Sequence, residues 1–173
     1  MNHALNKRLK TVFDGIEIQM AEKDRMVVTV KKEAVLSVLS LLKNEGYNHL
    51  GLLSCVDWID RKTFELVYVL SAYLQDDGEC TEKETENIIV KTQIDRDKSL
   101  SLSVIPIFQN AEPYEREIHE LFGIWFEGHP RLTPLFLERN YKTPPFRKDF
   151  DTRKYVKEVF DNIPSVEKKA GDQ

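Results

Sequence analysis

No stretch of this chain stays apolar for long. Its most hydrophobic window, Val35 to Leu42, is broken by Ser37 and Ser40, whereas a membrane-spanning helix needs about 20 apolar residues. Basic residues near the N-terminus are not followed by the apolar core of a secretory leader. The chain therefore reads as a cytoplasmic soluble domain that meets a membrane only through partner proteins. Cysteine is scarce. Cys55 falls in a strand-like apolar run and Cys80 in an acidic stretch, an unpaired couple expected of a reducing compartment. A basic excess is also missing: 25 Lys and Arg stand against 29 Asp and Glu, for a net charge of −4. Nothing here favours a phosphate backbone, and nucleic acid is excluded as a partner.

Reaction chemistry is equally thin. There is no GxGxxG and no GxxxxGK[ST], so no phosphate cradle is implied. There is no CxxC to seed an iron–sulfur or zinc site. The acidic stretch at Asp76-Asp77-Gly78 fails the calcium-loop pattern, because Tyr73 stands where an acid is needed. Cys55 lies among Leu52, Leu53, Ser54 and Val56, where a thiol is buried and inert rather than nucleophilic. His119 and His129 are two histidines without further ligands. No catalytic, cofactor-binding or metal residue is assigned.

What is present is one domain's worth of alternating elements within 173 residues. A short helix is expected over 4–13 and a strand over Met26 to Val30. Val35, Val38, Leu39 and Leu42 recur at helical spacing, with Gly46 as a stop. Strands follow over His49 to Ile59, Phe64 to Leu74, Ile88 to Ile94 and Leu100 to Ile105. The last two flank a polar Asp95–Lys98 turn that suits a hairpin. Pro113 to Phe122 returns to helical period, and Gly123 ends it. The expected fold is α+β: an antiparallel-rich sheet with helices packed on one face, plus a C-terminal extended proline-rich arm. The expected division is an α+β domain over 1–122, an interface arm with a short helix over 123–164, and a flexible tail over 165–173.

The arm is the unusual part. Residues 123–150 carry Trp125, Phe126, Leu132, Leu135, Phe136, Leu137, Tyr141, Phe146 and Phe150 among Pro130, Pro134, Pro144 and Pro145. A small domain has little interior left for so many large groups, and aromatic anchors stiffened by proline suit a protein interface. The run Glu115-Arg116-Glu117-x-x-Glu120-Leu121-Phe122-Gly123-x-x-Phe126-x-Gly128-His129-Pro130 resembles the signature of the C-subunit family of NADH:quinone oxidoreductase, complex I. The family's usual form has Asp at the position of Glu120. Pro145-Phe146-Arg147-Lys148-Asp149-Phe150 is similar to that family's Pro-Leu-Arg-Lys-Asp. The likeness covers roughly residues 20–150. One departure stands out: Leu132-Thr133-Pro134-Leu135 replaces the family's Leu-Arg-Arg-Ile after the His-Pro. That change turns the likeness toward the related subunit of membrane-bound [NiFe] hydrogenases and sulfur-reducing complexes.

The resemblance implies a non-catalytic assembly subunit on the peripheral arm of an ion-pumping redox complex, at the cytoplasmic side of the cell membrane. It implies two partners: a large catalytic subunit with a quinone or nickel–iron site, and a small iron–sulfur subunit. No cofactor belongs to this chain; iron–sulfur clusters and, in the hydrogenase type, nickel–iron belong to those partners. The expected interface residues are Glu115, Arg116, Glu117, Glu120, Trp125, Phe126, His129, Pro130, Leu135, Phe136, Phe146, Arg147, Lys148 and Asp149. Glu115, Arg116, Glu117, Arg147, Lys148 and Asp149 are expected to form one interlocked network. Two readings from other classes stand beside this one: a small enzyme using His119, Glu120 and His129 for acid–base work, and a stand-alone adaptor.

Overall fold

The computed structural model describes residues 3–21, 25–72, 87–137 and 141–159. The acidic stretch at Asp76-Asp77-Gly78, Cys80, the last two residues of the strand expected to Leu74 and the C-terminal tail lie outside these residues. The elements run α1 (His3–Val12), β1 (Glu17–Met20), β2 (Met26–Lys31), α2 (Val35–Asn44), β3 (His49–Trp58), β4 (Thr63–Ser71), β5 (Asn87–Asp95), β6 (Leu100–Leu102), α3 (Ala111–Phe122), β7 (Trp125–Glu127) and α4 (Thr152–Val159). Single 3₁₀ turns sit before α2 and after β3.

Five strands form one mixed sheet in the order β1-β2-β5-β4-β3. Three of its four pairings are antiparallel, and β2 with β5 is parallel. The period of two in each strand decides which face is buried. Phe64, Leu66, Tyr68 and Leu70 of β4 are fully buried, and register places them beside Ile94, Thr92, Val90 and Ile88 of β5. Met26, Val28 and Val30 of β2 extend the same face. The helices cover that face. Leu5 and Leu9 of α1, Val38, Leu39 and Leu42 of α2, and Ala111 and Ile118 of α3 join one apolar cluster with it. Each such large side chain contributes about 1.5–3 kcal/mol by leaving water.

The opposite face carries Val27, Ile89, Val69 and Leu52 in one cross-strand row, with Leu52 exposed. Strand β3 is bulged between Leu50 and Leu52. There α3 ties itself to the edge: Asn110 Nδ2 donates to the Leu50 carbonyl at 2.7 Å, and the Tyr114 hydroxyl donates to the Gly51 carbonyl at 3.1 Å.

Three expectations need correction. Strand β6 is only three residues long and does not form a hairpin with β5, whose two edges are already taken by β2 and β4. It pairs instead, in parallel, with β7. The break comes at Asp95, whose Oδ1 accepts the N–H groups of Asp97 and Lys98, and at Ser99, which has φ 46°. Second, the domain does not end at Phe122. Ile124 and Phe126 are buried in the main cluster, and Leu132 packs against it. Third, an extra strand, β1, precedes β2. It lacks an apolar pattern of its own and is held through its four-residue register with β2.

Candidate functional site

The signature helix α3 shows the sheet a stripe made of Ala111, Glu115, Ile118 and Leu121. Glu115 is thus a fully buried carboxylate. Its Oε1 accepts the Val104 N–H at 2.7 Å. Burial pushes its carboxyl up to about 7, against the lowering effect of the Val104 N–H and the Ser103 hydroxyl. Cys55, also buried on the sheet, has its thiol pushed up to about 12 by the same cause, which is the inertness expected of it.

The other face of α3 holds the segment beyond β7. Arg116 donates from Nε to the Thr133 carbonyl at 3.0 Å and from Nη2 to the Pro134 carbonyl at 2.9 Å. Its Nη1 reaches Glu112 at 3.3 Å, a pair one helical turn apart. Glu120 accepts three successive backbone amides: Leu135 at 3.1 Å, Phe136 at 2.9 Å and Leu137 at 2.6 Å. Partial burial would raise its carboxyl, but those amides hold it below the ordinary range. His129 accepts the Arg131 N–H on Nδ1 at 3.0 Å, so Nε2 carries the proton and faces the Glu112 carbonyl at 3.3 Å. His119 donates from Nδ1 to the Ile124 carbonyl at 2.8 Å and stands edge-on to Trp125.

A second cluster lies where the ends of β3 and α3 meet the turn after β5. Asp57 is almost fully buried and takes Arg96 in two hydrogen bonds, 2.8 Å from Nε and 3.1 Å from Nη2. Arg96 also donates to Asp149 at 2.6 Å. The Lys148 N–H donates to Asp57 Oδ2 at 2.9 Å. Arg147 donates to the Phe122 carbonyl at 2.6 Å and to Ser99 Oγ at 3.0 Å, with its guanidinium over the Phe64 ring. Lys148 Nζ lies over Trp58 at 5.8 Å. Burial would raise the Asp57 carboxyl, but Arg96 and the Lys148 amide hold it below the usual range. Gly123 ends α3 at φ 73°, and a Cβ there would sit 2.8 Å from Pro144 Cγ.

The expected single network of six charges is therefore not what forms. Glu115 serves an internal amide, Arg116 the carbonyls of the following segment, and Arg147 the end of α3. Glu117 takes part in none of these bonds, and Arg116 and Arg147 share no partner among them. Phe126 and Glu115 are buried within the chain, while Trp125, Phe136 and Phe146 are 55%, 67% and 60% exposed. Pro130 is exposed, Leu135 is half-buried, and Lys148 and Asp149 are exposed. Asp57 and Arg96 are site residues that the motifs do not contain. The signal for them in the sequence is phase: Asp57 continues the buried alternation Leu53, Cys55, and a carboxylate in that phase requires a cationic partner.

Among the described residues no group of three His, Cys, Asp or Glu is placed to hold a metal, and no helix is long and apolar enough to cross a membrane. The geometry binds backbone and displays aromatics.

Comparison with known proteins agrees with the signature. The profile of the respiratory-chain NADH dehydrogenase 30 Kd subunit matches residues 28–156. The NADH-quinone oxidoreductase C subunit of Brucella abortus (strain 2308) is 32% identical over 147 residues, 83% of this chain and 68% of that one. Its counterpart from Rhodobacter capsulatus is 31% identical over 143 residues, 80% of this chain and 66% of its own length. Among solved structures, a chain of the archaeal membrane-bound sulfane sulfur reductase, a respiratory membrane complex, superposes with TM-score 0.76 at 25% identity, covering 98% of this chain and 96% of that one. A trypsin-resistant fragment of Nqo5 shares the fold, with TM-score 0.61 at 22% identity over 74% of this chain and 96% of the fragment. This chain belongs to the family of the respiratory-chain NADH dehydrogenase 30 Kd subunit, the C-type subunit of complex I.

Proposed function

We propose that this chain is a non-catalytic assembly subunit of the peripheral arm of a complex I-type, ion-pumping redox complex. It docks on a large catalytic subunit beside a small iron–sulfur subunit, at the cytoplasmic side of the membrane. The iron–sulfur clusters, and any nickel–iron site, reside in those partners. The observation that carries this reading is the display of Trp125, Phe136 and Phe146. Each is more than half exposed, yet each sits on backbone fixed by hydrogen bonds: Trp125 N–H to the Ser99 carbonyl, Phe136 N–H to Glu120, and Phe146 N–H to the Leu121 carbonyl. Rigid exposed aromatics are the usual anchors of interfaces, because little entropy is lost when they are buried. The near-complete superposition on a sulfane sulfur reductase chain supports the sulfur-reducing or hydrogenase type over a donor:quinone oxidoreductase.

The test is co-purification of the large subunit with a tagged copy of this chain in a host lacking the native one. Trp125→Ala with Phe146→Ala is expected to lose most of the large subunit while circular dichroism of the free chain stays unchanged. Full recovery of the large subunit with both rings removed overturns the reading.

A further inference from the structure

The segment Pro144–Phe150 has no strand or helix and buries little. Phe146 is 60% exposed, Lys148 and Asp149 are exposed, and the remaining residues are only partly covered. Apolar burial alone does not hold it. Polar contacts do, and they converge on one corner. Phe146 N–H reaches the Leu121 carbonyl at 3.0 Å, Arg147 the Phe122 carbonyl, Lys148 N–H the Asp57 carboxylate, and Asp149 the Arg96 guanidinium. Two of these four attachments end on the Asp57–Arg96 pair.

That pair is itself anchored in two separate parts of the sheet. Asp57 lies near the end of β3 on the buried face. Arg96 sits in the turn after β5, and its own N–H donates to the carbonyl of Lys62 in the β3–β4 turn at 3.1 Å. The side chains are 2% and 11% exposed, so the pair is shielded from salt and water. Both oxygens of Asp57 are used on Arg96, and one of them also takes the Lys148 amide.

We propose that Asp57 and Arg96 form a clasp that sets the pose of residues 144–150 in the free chain and thereby presents Phe146, already oriented, to an apolar pocket of the partner subunit. This rests on the docking role proposed above. Asp57 and Arg96 are positioning residues: neither side chain is exposed enough to be an anchor. The edge-on contact of Phe146 with Phe122, centroids 5.9 Å apart, fixes the base of the ring and leaves its outer side free. Docking then requires no folding step in this segment, and the ordering cost is met when the chain folds.

Hydrogen exchange on the purified full chain tests the clasp separately from docking. Asp57→Asn keeps the shape and removes the charge. The amides of residues 146–150 are expected to exchange roughly tenfold or more faster, with those of β4 and β5 unchanged. Should Asp57→Asn fail to fold, Asp149→Asn removes only the exposed partner, with a smaller rise in the same amides, and Asp149→Glu is expected to restore protection. Unchanged exchange in 146–150 for a folded Asp57→Asn, or for Asp149→Asn in its place, overturns the clasp. Co-purification with the large subunit is then read for the same variants, and it should fall in step with lost protection. Faster exchange with undiminished co-purification overturns the link between pose and docking. Failure of the docking role itself shows differently, as normal assembly of the Trp125→Ala, Phe146→Ala variant whose clasp is intact.

Discussion

The sheet region and the segment from Gly128 to Phe150 are held together by different physics. In the sheet, backbone groups satisfy one another along the strands, and side chains are free to be apolar. Beyond β7 the described residues form almost no regular structure before α4, so backbone groups need side-chain partners instead. Glu120 accepts three amides, Arg116 donates to two carbonyls, Asp57 accepts the Lys148 amide and Arg147 caps the end of α3. The charges of the two signature motifs act as substitutes for a strand neighbour. This explains why they look like a surface network in sequence and yet mostly point into their own chain.

The contrast makes a large core change a global event. Leu66→Ala, at a fully buried position of β4, is expected to cost about 2–5 kcal/mol. Denaturant unfolding followed by circular dichroism and by amide exchange of residues 141–150 should shift together. Separate transitions would show that the later segment folds independently.

Glu115 is where the two regimes meet, a charge-bearing group inside the apolar layer. Its folded-state value of about 7 lies above the ordinary 4.5, so the folded state holds the proton more tightly than the unfolded chain. Its contribution to stability is fully present below pH 4.5 and is lost as pH rises to about 7. Glu115→Gln keeps an acceptor for Val104 and removes the titration. The variant is expected to be more stable than the parent by about 3 kcal/mol above about pH 7, and the gain should vanish near about pH 4. Parallel stability profiles for the two proteins across that range would remove Glu115 as the titrating group.

A smaller effect is expected from Glu120→Gln. One oxygen remains to accept, but the charge is lost and the three amides are no longer all served. The unfolding free energy should move by less than about 1 kcal/mol, given solvent screening at this half-buried site. Exchange of the Leu135, Phe136 and Leu137 amides should nevertheless quicken. A uniform quickening across the sheet would show that the two regions are not separable. The smallest change is expected for Arg8→Ala, which removes an ion pair with Glu45 on the surface of the helical layer. Exposed pairs of this kind contribute about 0–1 kcal/mol, and the melting curve should barely move.

Much of the sheet region was legible in the sequence because burial enforces period. The alternation through Phe64, Leu66, Tyr68 and Leu70, and the helical spacing of Val35, Val38, Leu39 and Leu42, each translate directly into an observed element. Strand order was not legible. Nothing in Met26–Lys31 announces a parallel partner in Asn87–Asp95, since both strands are buried on one face whichever neighbour they take. Strands β1 and β7 are too short to show period. The site was readable in its residue types but not in its connections. Arg116, Glu120 and Arg147 bond to main-chain atoms, and main-chain atoms carry no mark in a sequence. Arg96 reads as a turn residue because it stands between Asp95 and Asp97; its guanidinium instead turns back to the end of β3.

The parallel pairing of β2 with β5 has a consequence for biosynthesis. Strand β5 lies between β2 and β4, yet it leaves the ribosome after both. Until it arrives, the inner edges of β2 and β4 are open ladders, ready to pair with any extended chain nearby. Closing the sheet must also bring together residues as far apart in the chain as Met26 and Ile88, which slows the search. The nascent subunit is thus most prone to aggregation after β4 has emerged and before β5 has. A truncation after Ser71 should accumulate as insoluble chain, whereas one after Glu127 restores the missing strand and closes both edges.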